Sequence, residues 1–417
     1  MAEQIQTTPP AHDPYAAMRF YDFRLLIFGR LIAQIGEMTV SVAIGWELYE
    51  RTGDALALGL VGLVQVIPVI LLSLPGGYVA DRYDRKKAVL ISQIVLVLCS
   101  LALTFLSTNN GSLPLIYFTL AIIGAARAFN NPAESALTPQ TVPPEHYFSA
   151  ATWSSTVWQL SAILGPAVGG LIIGITNSAA PVYFLNAAAG ITFVIALMIL
   201  KVKYKGDVGV NEPPIKALKQ GWRFLLDSPV ILGAITLDMF AVLLGGVTFL
   251  LPVFAKDILH VDALGLGILR TGQSIGALAM AFAITRRPPF EQAGKTMLWS
   301  VAGFGVATII FGFSTSFWLS LAMLILMGAL DNISVVVRHS LLMIFTPDEM
   351  RGRVNSVNTI FIGASNELGG FESGVLAAFL GPVAAVILGG FGTLAVVGIV
   401  AQYIPRLRQL GRLVEQT

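Results

Sequence analysis

The chain has 417 residues, 55% hydrophobic and only 12% charged, with a formal net charge of +2. That charged fraction is about half of what a soluble domain carries, and the polar stretches are too short to fold on their own, which excludes a multi-domain soluble protein. The cations sit in short segments and form no nucleic-acid surface, while the single cysteine, Cys99, lies inside an apolar run and excludes an intrachain disulfide.

Residues 1–19 are polar, contain Pro9, Pro10 and Pro14, and lack the apolar core of a signal peptide; they read as a cytoplasmic tail. Apolar runs then follow at 22–49, 57–80, 88–107, 113–132, 148–175, 181–201, 229–255, 264–285, 294–313, 317–338, 353–380 and 382–404. As helices rising 1.5 Å per residue, all are long enough to cross a hydrocarbon core of about 30 Å. The predicted fold is therefore an all-α membrane protein with twelve transmembrane helices. The longest break, 202–228, divides it into two six-helix bundles, 20–201 and 229–404, leaving a second tail at 405–417. Within the break, Leu218, Trp222, Leu225 and Leu226 share one face of an amphipathic segment, read as a helix lying on the inner leaflet. Of the 26 Lys and Arg, only Arg51 and Lys256 occupy the loops opposite the tails, so both termini are expected in the cytoplasm.

In the first helix, Arg30, Gln34, Glu37 and Ser41 recur at helical spacing and form one polar stripe. Glu37 falls near the bilayer midplane. An isolated charge there costs ~3 kcal/mol on insertion scales, so it must face protein or a water-filled cavity. It either takes part in proton exchange or forms a structural salt bridge to Arg30 or Arg127. Arg127 in the fourth helix and Asp331 in the tenth lie at similar depth; Asp238 in the seventh matches Gln34. Asn358, Ser365 and Glu372 share a face of the eleventh helix, with Glu367 on another face and Arg270 in the eighth helix nearer the outer side. The expected proton-coupling carboxylates are Glu37, Asp331 and Asp238. The expected substrate cavity takes in Arg30, Gln34, Arg127, Asn131, Gln159 and Glu367.

The halves look like copies. An offset of 204 lays Val142-Pro143-Pro144-Glu145 on Thr346-Pro347-Asp348-Glu349, and Gly165 and Gly170 on Gly369 and Gly374. It also lays Arg127 on Asp331 and Glu134 on Arg338, so these charges swap sign between halves. Such a repeat places a pseudo-two-fold axis along the membrane normal and a cavity between the halves.

Between the second and third helices stands Asp81-Arg82-Tyr83-Asp84-Arg85-Lys86-Lys87, with Gly77 four residues upstream. This resembles the loop signature of the major facilitator superfamily, with Asp84 where that family usually has Gly. The resemblance implies that Gly77, Asp81, Arg82, Arg85 and Lys86 belong to a cytoplasmic gate, with Glu134, Arg338 and Arg353 as partners of Asp81. In the fifth helix, Ser161 followed by Gly165, Pro166, Gly169 and Gly170 resembles the helix-packing motif of the antiporter branch. The phrases Leu74-Pro75-Gly76-Gly77-Tyr78-Val79-Ala80-Asp81-Arg82, Trp222-Arg223-Phe224-Leu225-Leu226 and Met350-Arg351-Gly352-Arg353-Val354-Asn355 look like the enterobactin-exporter branch of bacterial major facilitators.

That resemblance implies a proton-coupled efflux permease of a bacterial inner membrane, monomeric, carrying a small amphipathic or anionic molecule, siderophore- or drug-like, among membrane lipid. A lysolipid flippase and an uptake permease are the alternatives. No Gly-x-x-x-x-Gly-Lys-Ser/Thr phosphate loop occurs, and the four His are scattered, so neither a cofactor nor a metal is expected. The chain is not expected to be an enzyme.

Overall fold

The computed structural model describes residues 15–202, 214–286 and 291–411. The expected tails and linker, and the side chain of Leu218, therefore lie partly or wholly outside the described residues. Among the described residues there is no strand. The helices are α1 (Tyr21–Thr52), α2 (Ala55–Arg82), α3 (Arg85–Thr108), α4 (Leu113–Leu137), α5 (Tyr147–Thr176) and α6 (Ala180–Ile199), then α7 (Pro214–Asp227) in the linker. They continue as α8 (Pro229–Leu244), α9 (Val247–Val253), α10 (Ala263–Thr285), α11 (Ala293–Phe313), α12 (Phe317–Phe345), α13 (Asp348–Leu380) and α14 (Pro382–Tyr403).

Short polar residues set the helix starts. Asp54 accepts from Leu56 N at 2.8 Å, Asp84 from Lys87 N at 3.3 Å and Asp262 from Gly265 N at 2.9 Å, each satisfying an orphan donor of α2, α3 or α10. Asp84, the departure from the superfamily signature, is thus the N-cap of α3.

Among the described residues, eleven helical stretches are long and apolar enough to cross a membrane, counting Pro229–Ile258 as one. The twelfth member is α13, which carries Glu367 and Glu372 along its 33 residues and packs between α2, α8 and α14. The expected single span 229–255 is broken at Gly245–Gly246. A Cβ on Gly246 would lie 2.8 Å from the Gly369 carbonyl oxygen, so the break lets this helix approach α13 closely. Past α9, Phe254–Ile258 forms a π turn.

The two halves meet along two helix pairs, α2 with α13 and α5 with α10. Both interfaces rest on glycine. A Cβ on Gly59 would lie 3.0 Å from Gly374 Cα, and one on Gly170 would lie 2.5 Å from the Ala263 carbonyl oxygen. These contacts lie at the end of the molecule opposite the start of α1. There, one apolar cluster spans both halves, running through Val40, Leu58, Ile173, Phe254, Leu266 and Ala377. Toward the other end, the apolar clusters each stay with one half. Leu26, Ala133 and Phe193 belong to the first, as do Phe23 and Val157; Leu237, Met297 and Val337 belong to the second, as do Ile235 and Val354. The halves are knit at one end and part toward the end where α1 begins and α14 finishes.

The linker helix α7 packs on α13. Trp222 stacks on Phe361 with ring centroids 5.3 Å apart, and Leu225 is buried with Ile231 and Val354.

Candidate functional site

Ion pairs form between helices inside each half. In the first half Arg127 Nη2 lies 2.7 Å from Glu37 Oε1, and Arg127 Nη1 donates to Gln65 Oε1 at 2.9 Å. About two helical turns toward the open end, Arg30 Nε lies 2.7 Å from Glu134 Oε1, and Asn130 Nδ2 donates to Glu134 Oε2 at 3.2 Å. In the second half Arg338 pairs with Asp238, which also accepts from Ser334 Oγ at 3.4 Å. Both members of that pair are buried, with side-chain exposures of 4% and 7%. The offset of 204 matches Glu134 to Arg338 but Arg30 to Ala234, so the α1–α4 and α8–α12 pairs correspond in helix and not residue by residue.

A polar cavity of about 110 Å³ lies within the first half, between α1, α3, α4 and α6. Arg30, Gln34, Glu37, Arg127, Asn131 and Glu134 line it. Four of these belong to the cavity expected from the sequence. Gln159 does not line it, its amide instead donating to Ser155 Oγ at 3.4 Å on its own helix. Glu367 stands in the second half beside the Gly62 backbone, with a buried Oε2 that has no hydrogen-bond partner. Gln93, Ser100 and Asn186 line the cavity as well, with Asn186 Nδ2 donating to Ser100 Oγ at 2.8 Å. Asn186 is a lone polar residue of α6, whereas Gln93 and Ser100, seven residues apart on one face of α3, carry a spacing that could have found them. Asp331 is partly buried and joins no ion pair among the described residues.

The loop cations serve helix ends. Arg85 Nε donates to Ala80 O at 3.0 Å and Nη1 to Ala136 O at 3.2 Å; Lys86 Nζ donates to Leu200 O at 2.6 Å. They cap the last turns of α2, α4 and α6, where unpaired carbonyls and the helix dipole favour a cation. Arg82 Nη1 donates to Tyr78 Oη at 2.9 Å. Asp81 is exposed, and Glu134 and Arg338, its expected partners, are held by Arg30 and Asp238. Arg353 lies at the start of α13, where its backbone meets Gly221 of α7. A Cβ on Gly77 would meet nothing within 4 Å. In α5, Ser161 and Pro166 are buried, Gly165 and Gly169 face Met38 and Thr39 of α1, and Gly170 faces α10.

Two helical bundles related by a repeat, closed at one end, with ion pairs at mid-depth, define a multi-pass membrane protein with the major facilitator fold. The solved POT family transporter in complex with 5-aminolevulinic acid superposes with a TM-score of 0.72 at 12% identity, covering 93% of this chain and 97% of that one. The nucleoside transporter NupG gives 0.70 at 11% identity, covering 91% and 99%. A family model described as "Transmembrane secretion effector" matches residues 12–413, and the chain belongs to that family of major facilitator transporters. It is also similar to the enterobactin exporter EntS of Citrobacter koseri, 29% identical over 382 residues and 90% of each chain. EntS of Escherichia coli is 28% identical over 392 residues, covering 93% of this chain and 92% of its own.

Proposed function

We propose that this protein is a secondary active exporter of the bacterial inner membrane, driving a small amphipathic molecule outward in exchange for protons by alternating access. The observation that carries the reading is the pairing of one end knit by both halves with another where the halves part around mid-depth ion pairs. The Lys and Arg distribution supports a cytoplasmic position for that parted end, and with it the inward-open state. Likeness to enterobactin exporters along nine tenths of the chain supports export and a siderophore- or drug-like cargo.

In this mechanism cargo enters from the cytoplasm while Glu37 is ionised and bound to Arg127. A proton arriving from outside neutralises Glu37, frees Arg127 and changes the balance between the two states. Asp331, which joins no ion pair among the described residues, is the second carboxylate placed to exchange a proton, whereas Asp238 is held by Arg338. One proton crossing ~100 mV supplies ~2.3 kcal/mol.

Closure at the cytoplasmic end brings α2 onto α13. The two run antiparallel, with Gly59 against Gly374 and Gly62 against Glu367. Extending that register by whole turns puts Gly77 opposite Gly352, both of which have open space where a Cβ would stand. Asp81 then comes to the Arg351–Arg353 end of α13 as a latch.

The test uses inverted membrane vesicles with a respiration-driven pH gradient and a fluorescent reporter, challenged with siderophores, amphipathic drugs and lysolipids. Cargo-triggered proton leakage that disappears in Glu37→Gln is the expected result. Silence to every compound, with folded protein in the vesicles, contradicts proton-coupled export. Net flux inward favours the uptake permease, and a response confined to lysolipid favours the flippase.

A further inference from the structure

We propose that the cavity inside the first half is a subsite for an uncharged group bearing hydroxyls or amides, and that it selects against anionic and cationic groups; this rests on the transporter reading above. The cavity's charges are balanced within it. Arg127 is held by Glu37 and Arg30 by Glu134, and all four line the same space. An anion entering there must compete with two carboxylates for the guanidinium groups. A cation must compete with two guanidinium groups for the carboxylates. Either displacement strands a partly buried charge, whereas an uncharged group displaces none.

What the cavity does leave open is hydrogen bonding. Besides the paired charges, the uncharged amides of Gln34, Gln93 and Asn131 line the same space. Each amide carries a carbonyl acceptor and N–H donors, so it calls for a group that both donates and accepts. A hydroxyl pair or a primary amide supplies both in one small group. Sites built to hydrogen-bond a substrate hydroxyl reject analogues lacking it strongly, because buried polar atoms are then left unpaired.

Size points the same way. A volume of about 110 Å³ admits one small ring or head group, below the 300–1,000 Å³ typical of pockets that enclose a whole drug-sized ligand. The remainder of the cargo therefore lies outside the cavity, in the cleft between the halves.

The test is calorimetric titration of the full chain in lipid nanodiscs with three rings of similar size: catechol, benzoate and benzylammonium. Catechol is expected to bind at least tenfold more tightly than either ion. Gln34→Glu is expected to move the preference toward benzylammonium, and Gln34→Lys toward benzoate, each by tenfold or more with the thermal transition retained. Benzoate or benzylammonium matching catechol on the unaltered chain overturns the proposal. So does binding whose preference ignores both Gln34 variants, and so does a folded chain that binds none of the three, leaving a cavity for water only. Cargo-triggered proton leakage from vesicles, with no catechol binding, removes the subsite but leaves the exporter. Catechol binding with no leakage for any cargo keeps the subsite and removes the exporter.

Discussion

Arg127 of α4 holds Glu37 of α1 at 2.7 Å with one terminal nitrogen and Gln65 of α2 at 2.9 Å with the other. Three helices of the first half therefore meet on one guanidinium, one of them being α2, which also packs against the second half. Glu37 is thereby linked through Arg127 and Gln65 to a helix that takes part in the inter-half contact.

Removing that carboxylate tests the link. Glu37→Gln is expected to abolish cargo-dependent proton movement while the protein stays folded. The side chains are 28% and 39% exposed, so a double-mutant cycle with Arg127→Gln should give a coupling of about 1–2 kcal/mol, between surface and buried values. Thermal unfolding in lipid reads it.

Asp238 and Arg338 differ in being buried on both sides. Arg338→Ala strands a carboxylate inside the second half and is expected to destabilise by about 3–5 kcal/mol. Asp238→Asn combined with Arg338→Met removes both charges together and should recover much of that loss. A double variant no more stable than Arg338→Ala would show that the pair's charges are not what sets the stability.

The loop cluster divides into two roles with opposite readouts. Lys86→Ala removes the cation bonded to the Leu200 carbonyl of α6 and is expected to cost about 0.3–1 kcal/mol, with transport retained in the folded fraction. Gly77→Val places its side chain in open space here, so its thermal transition should be unchanged, yet transport should fall about tenfold because closure onto α13 is obstructed. Equal transport in Gly77→Val and the unaltered chain would remove Gly77 from the gate.

At the closed end, bulk at the glycine contacts should pry the halves apart. Gly374→Leu is expected to raise maleimide labelling of Leu58→Cys, a position 2% exposed, in a Cys99→Ser background. Labelling as slow as in the Leu58→Cys parent would mean that this contact does not hold the end shut.

Much of the fold was legible because hydropathy reports burial in lipid directly. The expected span 57–80 became α2 at Ala55–Arg82, the added residues being the apolar Ala55 and Leu56 at one end and the charged Asp81 and Arg82 at the other. The break at Gly245–Gly246 was not legible, because the apolar run continues across it and only the close approach of Gly369 requires it. In the site, the α1 stripe announced Gln34 and Glu37 through its spacing, and Arg127 was one of two partners weighed for Glu37. Pairing of Glu134 with Arg30 instead of Asp81 depends on which helices are neighbours in this conformation, which spacing along one helix does not encode. The same holds for Asn186, a single polar residue of α6 that a neighbouring bundle face turns into a cavity wall.

The most direct measurement reconstitutes the full chain into liposomes with an imposed pH gradient and follows a radiolabelled cargo identified in the vesicle screen. Proton-driven exchange predicts that cargo accumulates against its concentration gradient on the side of higher proton concentration, collapses with a protonophore, and fails in Glu37→Gln. Cargo that only equilibrates, or that moves together with the protons, would contradict it.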